Sequence, residues 1–307
     1  MKKLSKETFN EIQSYINKKA RPLESAIFNY YFNYSNSEDL LDMLEEFQNL
    51  DGGFGRGIEP DFKLIESSPM ATSIGLRYLN MLNKNDRTQK MIGRAIEYLE
   101  STFDSERNGW YSVPIAINDY PHAPHWEYRN DIGMTVIDYS WGNPSAELIG
   151  YLYKYREYVT RIDIYSLLSY AIDNLNSRTE FNSEHEIFCY IRMYNIIDEE
   201  FSVQIEDTIK LAVSQLINAN ESEWTDYVPM PLKFIEFDSK NYFGIDSEFI
   251  DKNLDYLVVK LEENKKILPT WEWDCYLDEW EIARTEWMGI LTLEALLALK
   301  KFNRLHE

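Results

Sequence analysis

The chain has 307 residues, of which 52 are Asp or Glu and 31 are Lys or Arg, giving a formal charge of −21 at pH 7. So acidic a surface repels phosphate backbones and anionic bilayers, which argues against nucleic acid as a partner. Two cysteines, Cys189 and Cys275, make no disulfide framework. No run approaches the roughly 20 apolar residues of a membrane span, and the start MKKLSKETFNEIQSYINKKA lacks the apolar stretch of a secretory signal. The expectation is a cytoplasmic protein with no stable membrane insertion.

The apolar residues recur at helical spacing almost throughout. LLDMLEEFQNL places Leu40, Leu41, Leu44 and Phe47 on one face, AIEYLESTF does so with Ile96, Leu99 and Phe103, and SLLSYAIDNL with Leu168, Ile172 and Leu175. IKLAVSQLI and NLDYLVVKL continue the pattern toward the C-terminus. Strand-like alternation is scarce. The chain therefore reads as all-α, with helices expected over 5–19, 22–34, 37–49, 68–83, 87–103, 144–157, 161–176, 183–197, 200–219, 246–263 and 280–303. The last, EWMGILTLEALLALKKF, is apolar on much of its circumference and is expected to be strongly buried. The segment 104–142 holds aromatics, prolines and histidines without a clear helix. A loop that long in a compact domain is usually functional or disordered, and its aromatic content argues against disorder.

Aromatic residues punctuate the helices: Phe54, Trp110, Phe181, Trp224 and Trp271 each follow one in a turn. PMATSIG and PSAELIG share Pro-x-Ala-x-x-x-Gly at Pro69/Ala71/Gly75 and Pro144/Ala146/Gly150. Both features suggest a repeat of antiparallel helix pairs, with small residues letting a neighbouring helix approach.

The stretch QNLDGGFG resembles the Q-x-x-D-G-G-[FW] turn of the α/α-toroid superfamily, which contains squalene–hopene and other terpenoid cyclases and the β subunits of protein prenyltransferases. AIEYLESTFDSERNGWYS is similar to a degenerate second copy. The C-terminal WEWDCYLDEWEIARTEWMGILTLEALLALKKF resembles the end of small bacterial proteins labelled prenyltransferase-like or squalene-cyclase-like. The resemblance implies one toroid domain over residues 1–307, an inner and an outer ring of helices, and a small isoprenoid-like hydrophobic ligand in an aromatic cavity. It also implies that Gln48 caps a helix end, that the glycines supply positive φ and that Phe54 packs on a neighbour. The mouth would be formed by the loops 104–142 and 266–280. The family's Asp-x-Asp-Asp acid, its Asp-Asp-x-x-Asp metal box and its Asp-x-Cys zinc ligands are missing from this sequence, where Asp274 and Cys275 are adjacent.

Two clusters carry the candidate chemistry. In DYPHAPHWEYRND, His122, His125 and Glu127 suit acid–base work near neutral pH or, less specifically, a divalent metal. Trp126 and Tyr128 beside them, with Trp141 further on, are candidate ligand-contacting aromatics. In LPTWEWDCYLDEW, Trp271 and Trp273 accompany Asp274, a combination that suits a carbocation or a stacked sugar. Asp274 and Asp278 equally suit the start of the last helix. Glu147, in the first turn of the second Pro-x-Ala helix, is a candidate acid or a partner of the helix dipole. Arg284 is expected to bind ligand or to pair with Glu286. For a diphosphate ligand, Arg56, Arg77, Arg107, Arg129 and Arg284 are the candidate clamp. The alternatives are a carbohydrate-active toroid, hydrolase or lyase, and a ligand-binding scaffold without catalysis.

Overall fold

The computed structural model describes residues 1–239 and 241–306. Among them are eleven α-helices and no β-strand, only isolated bridges. They are α1 (Lys6–Lys19), α2 (Pro22–Phe32), α3 (Ser37–Glu45), α4 (Pro69–Asn80), α5 (Asp86–Ser101), α6 (Gly142–Lys154), α7 (Ile164–Asn176), α8 (Glu184–Ile196), α9 (Glu199–Leu216), α10 (Ser247–Asn264) and α11 (Leu277–Lys301). Each expected helix is present, and the ends differ by a few residues, as end turns do. No helix among the described residues is long and apolar enough to cross a membrane.

The chain divides into two compact units, one of residues 1–43 and 217–307 and the other of residues 44–216. In the first, α1 is capped by Ser5, whose hydroxyl accepts from the Thr8 amide, and buries Ile12 and Ile16. Gly289 of α11 lies against Ala20, where a side chain would collide. The bridge between Leu4 and Leu305 ties the two chain ends together, and Arg304 is buried between Asp251 and Asp255 at 2.6 and 2.7 Å. α11 is buried from Met288 to Leu293, as its apolar circumference requires.

The second unit holds three helix pairs that pack in sequence order, α4 with α5, α6 with α7 and α8 with α9. α4 packs on α6 and α6 on α8, so these three form one row, and α7 packs on α9 behind it. Proline in the first turn of α4 and Ser68 as its cap set that helix's start. The two Pro-x-Ala-x-x-x-Gly helices are α4 and α6, neighbours in the row. Gly150 of α6 meets the backbone of α8, where a Cβ would stand 3.1 Å from the Met193 Cα. Gly75 of α4 receives something else: the ring of Phe54 presses on it so closely that no Cβ fits.

That contact shows how the Q-x-x-D-G-G-F turn works. Gly52 has φ +94°, in the region glycine alone adopts freely, and Phe54 is fully buried with its amide donating to the Thr72 hydroxyl at 3.0 Å. Gln48 does not cap a helix end. Its side-chain amide donates to the Gly52 carbonyl at 2.8 Å and to the Met91 carbonyl of α5 at 2.9 Å, stapling the turn to the neighbouring helix. A related arrangement recurs at Trp110, whose amide donates to the Ser145 hydroxyl of α6 at 3.0 Å while its indole N–H bonds the Leu99 carbonyl at 2.8 Å.

The segment 104–142 is ordered by short 3-10 turns at Ile115–Asp119, Pro124–Trp126 and Val136–Tyr139. Asp138 holds its end in place: it is buried and accepts from the amides of Ser112 and Thr135 and from the Thr135 hydroxyl.

Candidate functional site

The histidine cluster is positioned by an isolated bridge between two extended segments rather than by a helix. Phe62 and His122 face each other in an antiparallel bridge, with the Lys63 amide donating to the Pro121 carbonyl at 2.9 Å and the Ala123 amide to the Asp61 carbonyl at 2.8 Å. Phe62 meets Trp126 edge-on at 5.1 Å, and Trp126 in turn meets His125 at 5.4 Å. The pairing therefore carries Asp61, a residue the sequence reading did not single out, to the two histidines.

Asp61 and His122 are both buried. The Nδ1 of His122 is 2.6 Å from the Tyr120 carbonyl, and because a carbonyl only accepts, Nδ1 carries the proton. His125 is half-buried and makes no hydrogen bond to the described residues. Burial pushes its imidazole below its ordinary pKa of 6.5; the Asp61 carboxylate pulls it back up in part, and His122 pushes it down again. The result is a neutral, unengaged imidazole at pH 7, the form that accepts a proton. Trp126 is 6% exposed, and its indole N–H is buried with no acceptor. A buried orphan donor is uncommon and costs on the order of 1–3 kcal/mol.

Other candidates fall elsewhere. Glu127 is exposed, and Tyr128 is half-buried with its backbone held by the Asn118 side chain. No group of three His, Cys, Asp or Glu side chains among the described residues comes together as a metal would require. His122, His125 and Glu127 thus do not form a ligand set. Trp141 is half-buried, donates its indole N–H to the Arg107 carbonyl at 3.0 Å and meets Tyr170 edge-on.

Glu147 is neither an exposed acid nor a simple partner of the α6 dipole. It is fully buried in the row of α4, α6 and α8. Arg77 of α4 donates to both its oxygens at 3.0 and 2.9 Å, Arg192 of α8 to one at 3.1 Å, and the Tyr151 hydroxyl to the other at 3.2 Å. Burial by itself would raise its pKa; the two guanidinium groups outweigh burial and hold it below its ordinary value. A carboxylate held in its ionised form this way is a poor proton donor at neutral pH.

In the first unit, Trp273 is buried against Trp280, and Trp271 lies edge-on to Tyr227 at 5.5 Å and to Trp287 at 5.1 Å. Asp274 is exposed with φ +59°, and α11 begins three residues later with Asp278 in its first turn. Arg284 pairs with Glu281 at 3.4 Å, the residue one turn back, in place of the Glu286 contact expected.

The expected diphosphate clamp is also spoken for. Arg56 bonds the Asn49 side chain, Arg107 bonds the carbonyls of Trp110 and Asp138, and Arg129 pairs with Asp131. Arg77 and Arg284 are in the pairs just described. Compared with known proteins, the chain matches no family model, no curated protein and no solved structure.

Proposed function

We propose that this chain is a terpenoid-cyclase- or prenyltransferase-like protein that binds a small isoprenoid-like hydrophobic ligand, with His125 as its general base. The observation that carries the reading is the place of His125: half-buried, without a hydrogen bond to the described residues, beside buried Asp61 and His122 and against the Trp126 ring, where burial holds its pKa below the ordinary value. Such a base takes a proton from carbon beside a developing cation. The C–H bond breaks, its electron pair becomes the new C=C, and the proton moves to imidazole nitrogen. Aromatic faces nearby favour the cation that precedes this step. The Q-x-x-D-G-G-F turn supports the family reading, because Gly52 and Phe54 take the roles that the resemblance implies. The clamped Glu147 gives the α4–α6–α8 row a structural task and leaves proton transfer to the loop.

The test is native mass spectrometry of the purified protein, followed by incubation with squalene and with geranylgeranyl diphosphate and product analysis by gas chromatography. A lipid-sized adduct is expected. Turnover of one substrate is expected to fall about a hundredfold or more in His125→Ala. A bare-chain mass with no product from either lipid overturns the proposal. So does a His125→Ala variant as active as the parent.

A further inference from the structure

A surface hollow of about 580 Å³ lies between α5 and the turn at 158–161, and none of the residues lining it was named above as a candidate. Its walls are built. Gly93 of α5 lets the Tyr158 ring lie close, since a Cβ there would stand 3.2 Å from the ring. Glu100 fixes the turn: its carboxylate is buried and accepts from the amides of Thr160, Arg161 and Ile162 and from the Thr160 hydroxyl. Glu100 thus stays ionised, its oxygens taken up by the amides and the hydroxyl of the turn.

Lys90, Arg94 and Arg161 line this hollow. Arg94 donates to the Asn49 carbonyl at 2.6 Å, and the side chains of Lys90 and Arg161 have no partner among the described residues. None of the three has a carboxylate partner, in a chain with 52 acidic and 31 basic residues. Some other basic side chains of this unit are matched by carboxylates: Arg87 by Glu45 at 2.5 Å, Arg77 by Glu147, Arg178 by Glu186 at 2.7 Å. Three cations against the carboxylates of Glu97 and Glu100 leave the lining of this concavity net positive. The net negative charge of the chain does not cancel it, because exposed charges beyond about 8 Å are screened at physiological salt. Glu97, also on the rim, is the one opposing carboxylate lining the hollow that is not consumed by the turn.

We infer that this hollow binds a phosphate-bearing small molecule, with the phosphate on Lys90, Arg94 and Arg161 and a planar ring against Tyr158. Guanidinium forks and an ammonium are the groups that recognise phosphate oxygens. The volume lies within the range of small-molecule pockets, about 300–1,000 Å³, and exceeds what a bare phosphate fills. The inference stands apart from the histidine site and does not depend on it.

The experiment is isothermal titration calorimetry of the full chain at constant ionic strength with ADP, pyrophosphate and adenosine as probes. ADP is expected to bind more tightly than pyrophosphate, and adenosine to bind at least tenfold more weakly than ADP. Lys90→Ala and Arg161→Ala alter exposed side chains, so both variants fold, and each is expected to weaken ADP about tenfold. Glu97→Gln removes the opposing charge and is expected to tighten ADP several-fold. Tyr158→Ala is expected to weaken ADP and leave pyrophosphate unchanged. Absence of heat with both ADP and pyrophosphate at millimolar concentration overturns the inference. Adenosine binding equal to ADP, or unchanged affinity in both Lys90→Ala and Arg161→Ala, does so as well.

Discussion

Arg77 of α4 grips Glu147 of α6 through both carboxylate oxygens, and Arg192 of α8 completes the clamp from the other side. One buried anion thus joins three helices that are neighbours in space and distant in sequence. Removing the anion leaves two partly buried guanidinium groups facing each other. Glu147→Gln is expected to cost about 3–5 kcal/mol in urea unfolding at pH 7, as broken buried pairs do. A loss under 1 kcal/mol would mean that the clamp is not a stabilising element.

The same residue sets a pH dependence. Glu147 has its pKa lowered by the fold, so its contribution is fully present above the ordinary carboxylate value of 4.5 and is lost as pH falls through the lower folded value. Stability measured by urea midpoint is expected to fall between pH 5 and lower pH in the parent, and to fall less steeply in Glu147→Gln.

His125 titrates in the opposite sense to a histidine that gains a partner. Its folded pKa lies below 6.5, so the unfolded chain binds the proton first and stability declines as pH falls from about 6.5 toward the folded value. Imidazole resonances followed by NMR are expected to place His125 below 6.5. Asp61→Asn is expected to lower it further, because Asp61 raises it, and His122→Asn to raise it. A His125 pKa above 6.5 would remove the neutral base on which the proposed function rests.

Gly75 tests the Q-x-x-D-G-G-F turn. Its replacement by alanine puts a methyl group into the Phe54 ring, in a position where neither the helix nor the fully buried ring has room to move. Gly75→Ala is expected to destabilise by about 1–3 kcal/mol, and Phe54→Ala by about 3–5 kcal/mol through the cavity it leaves. A thermal melt of each variant checks this. An unchanged midpoint in Gly75→Ala would show that the turn yields.

The two cysteines differ in access. Cys189 is buried and its thiol is pushed up to about 12 by burial, with Glu147 beside it acting in the same direction. Cys275 is half-buried, and its thiol is raised by burial and then by Asp274. A thiol reagent at pH 8 is expected to modify Cys275 slowly and Cys189 only after urea unfolding, because the thiolate is the reacting form. Rapid labelling of Cys189 in the native protein would contradict its burial.

Periodicity alone located all eleven helices, because spacing of apolar side chains is a local property that each helix carries in its own residues. The positive φ of Gly52 and the packing of Phe54 were implied by the resemblance of the turn, while of the five turn aromatics Phe54, Trp110 and Trp224 are fully buried and Phe181 and Trp271 only half-buried. Partnership across the chain was not legible. Glu147 read as an acid in a first turn, but Arg77, 70 positions earlier, and Arg192, 45 positions later, fix it as an ion-paired strut. His125 read as one of a local cluster with His122 and Glu127, but Glu127 is exposed and the bridge from Phe62 to His122 brings Asp61 from a different loop. Lys90, Arg94 and Arg161 carried no motif, because their shared feature is the lack of a carboxylate partner, and that depends on where every acid in the unit ends up. Helix identity is set by a few turns of chain, whereas charge environment is set by all the packing around a group, so the first is written in the sequence and the second appears only when the helices are assembled.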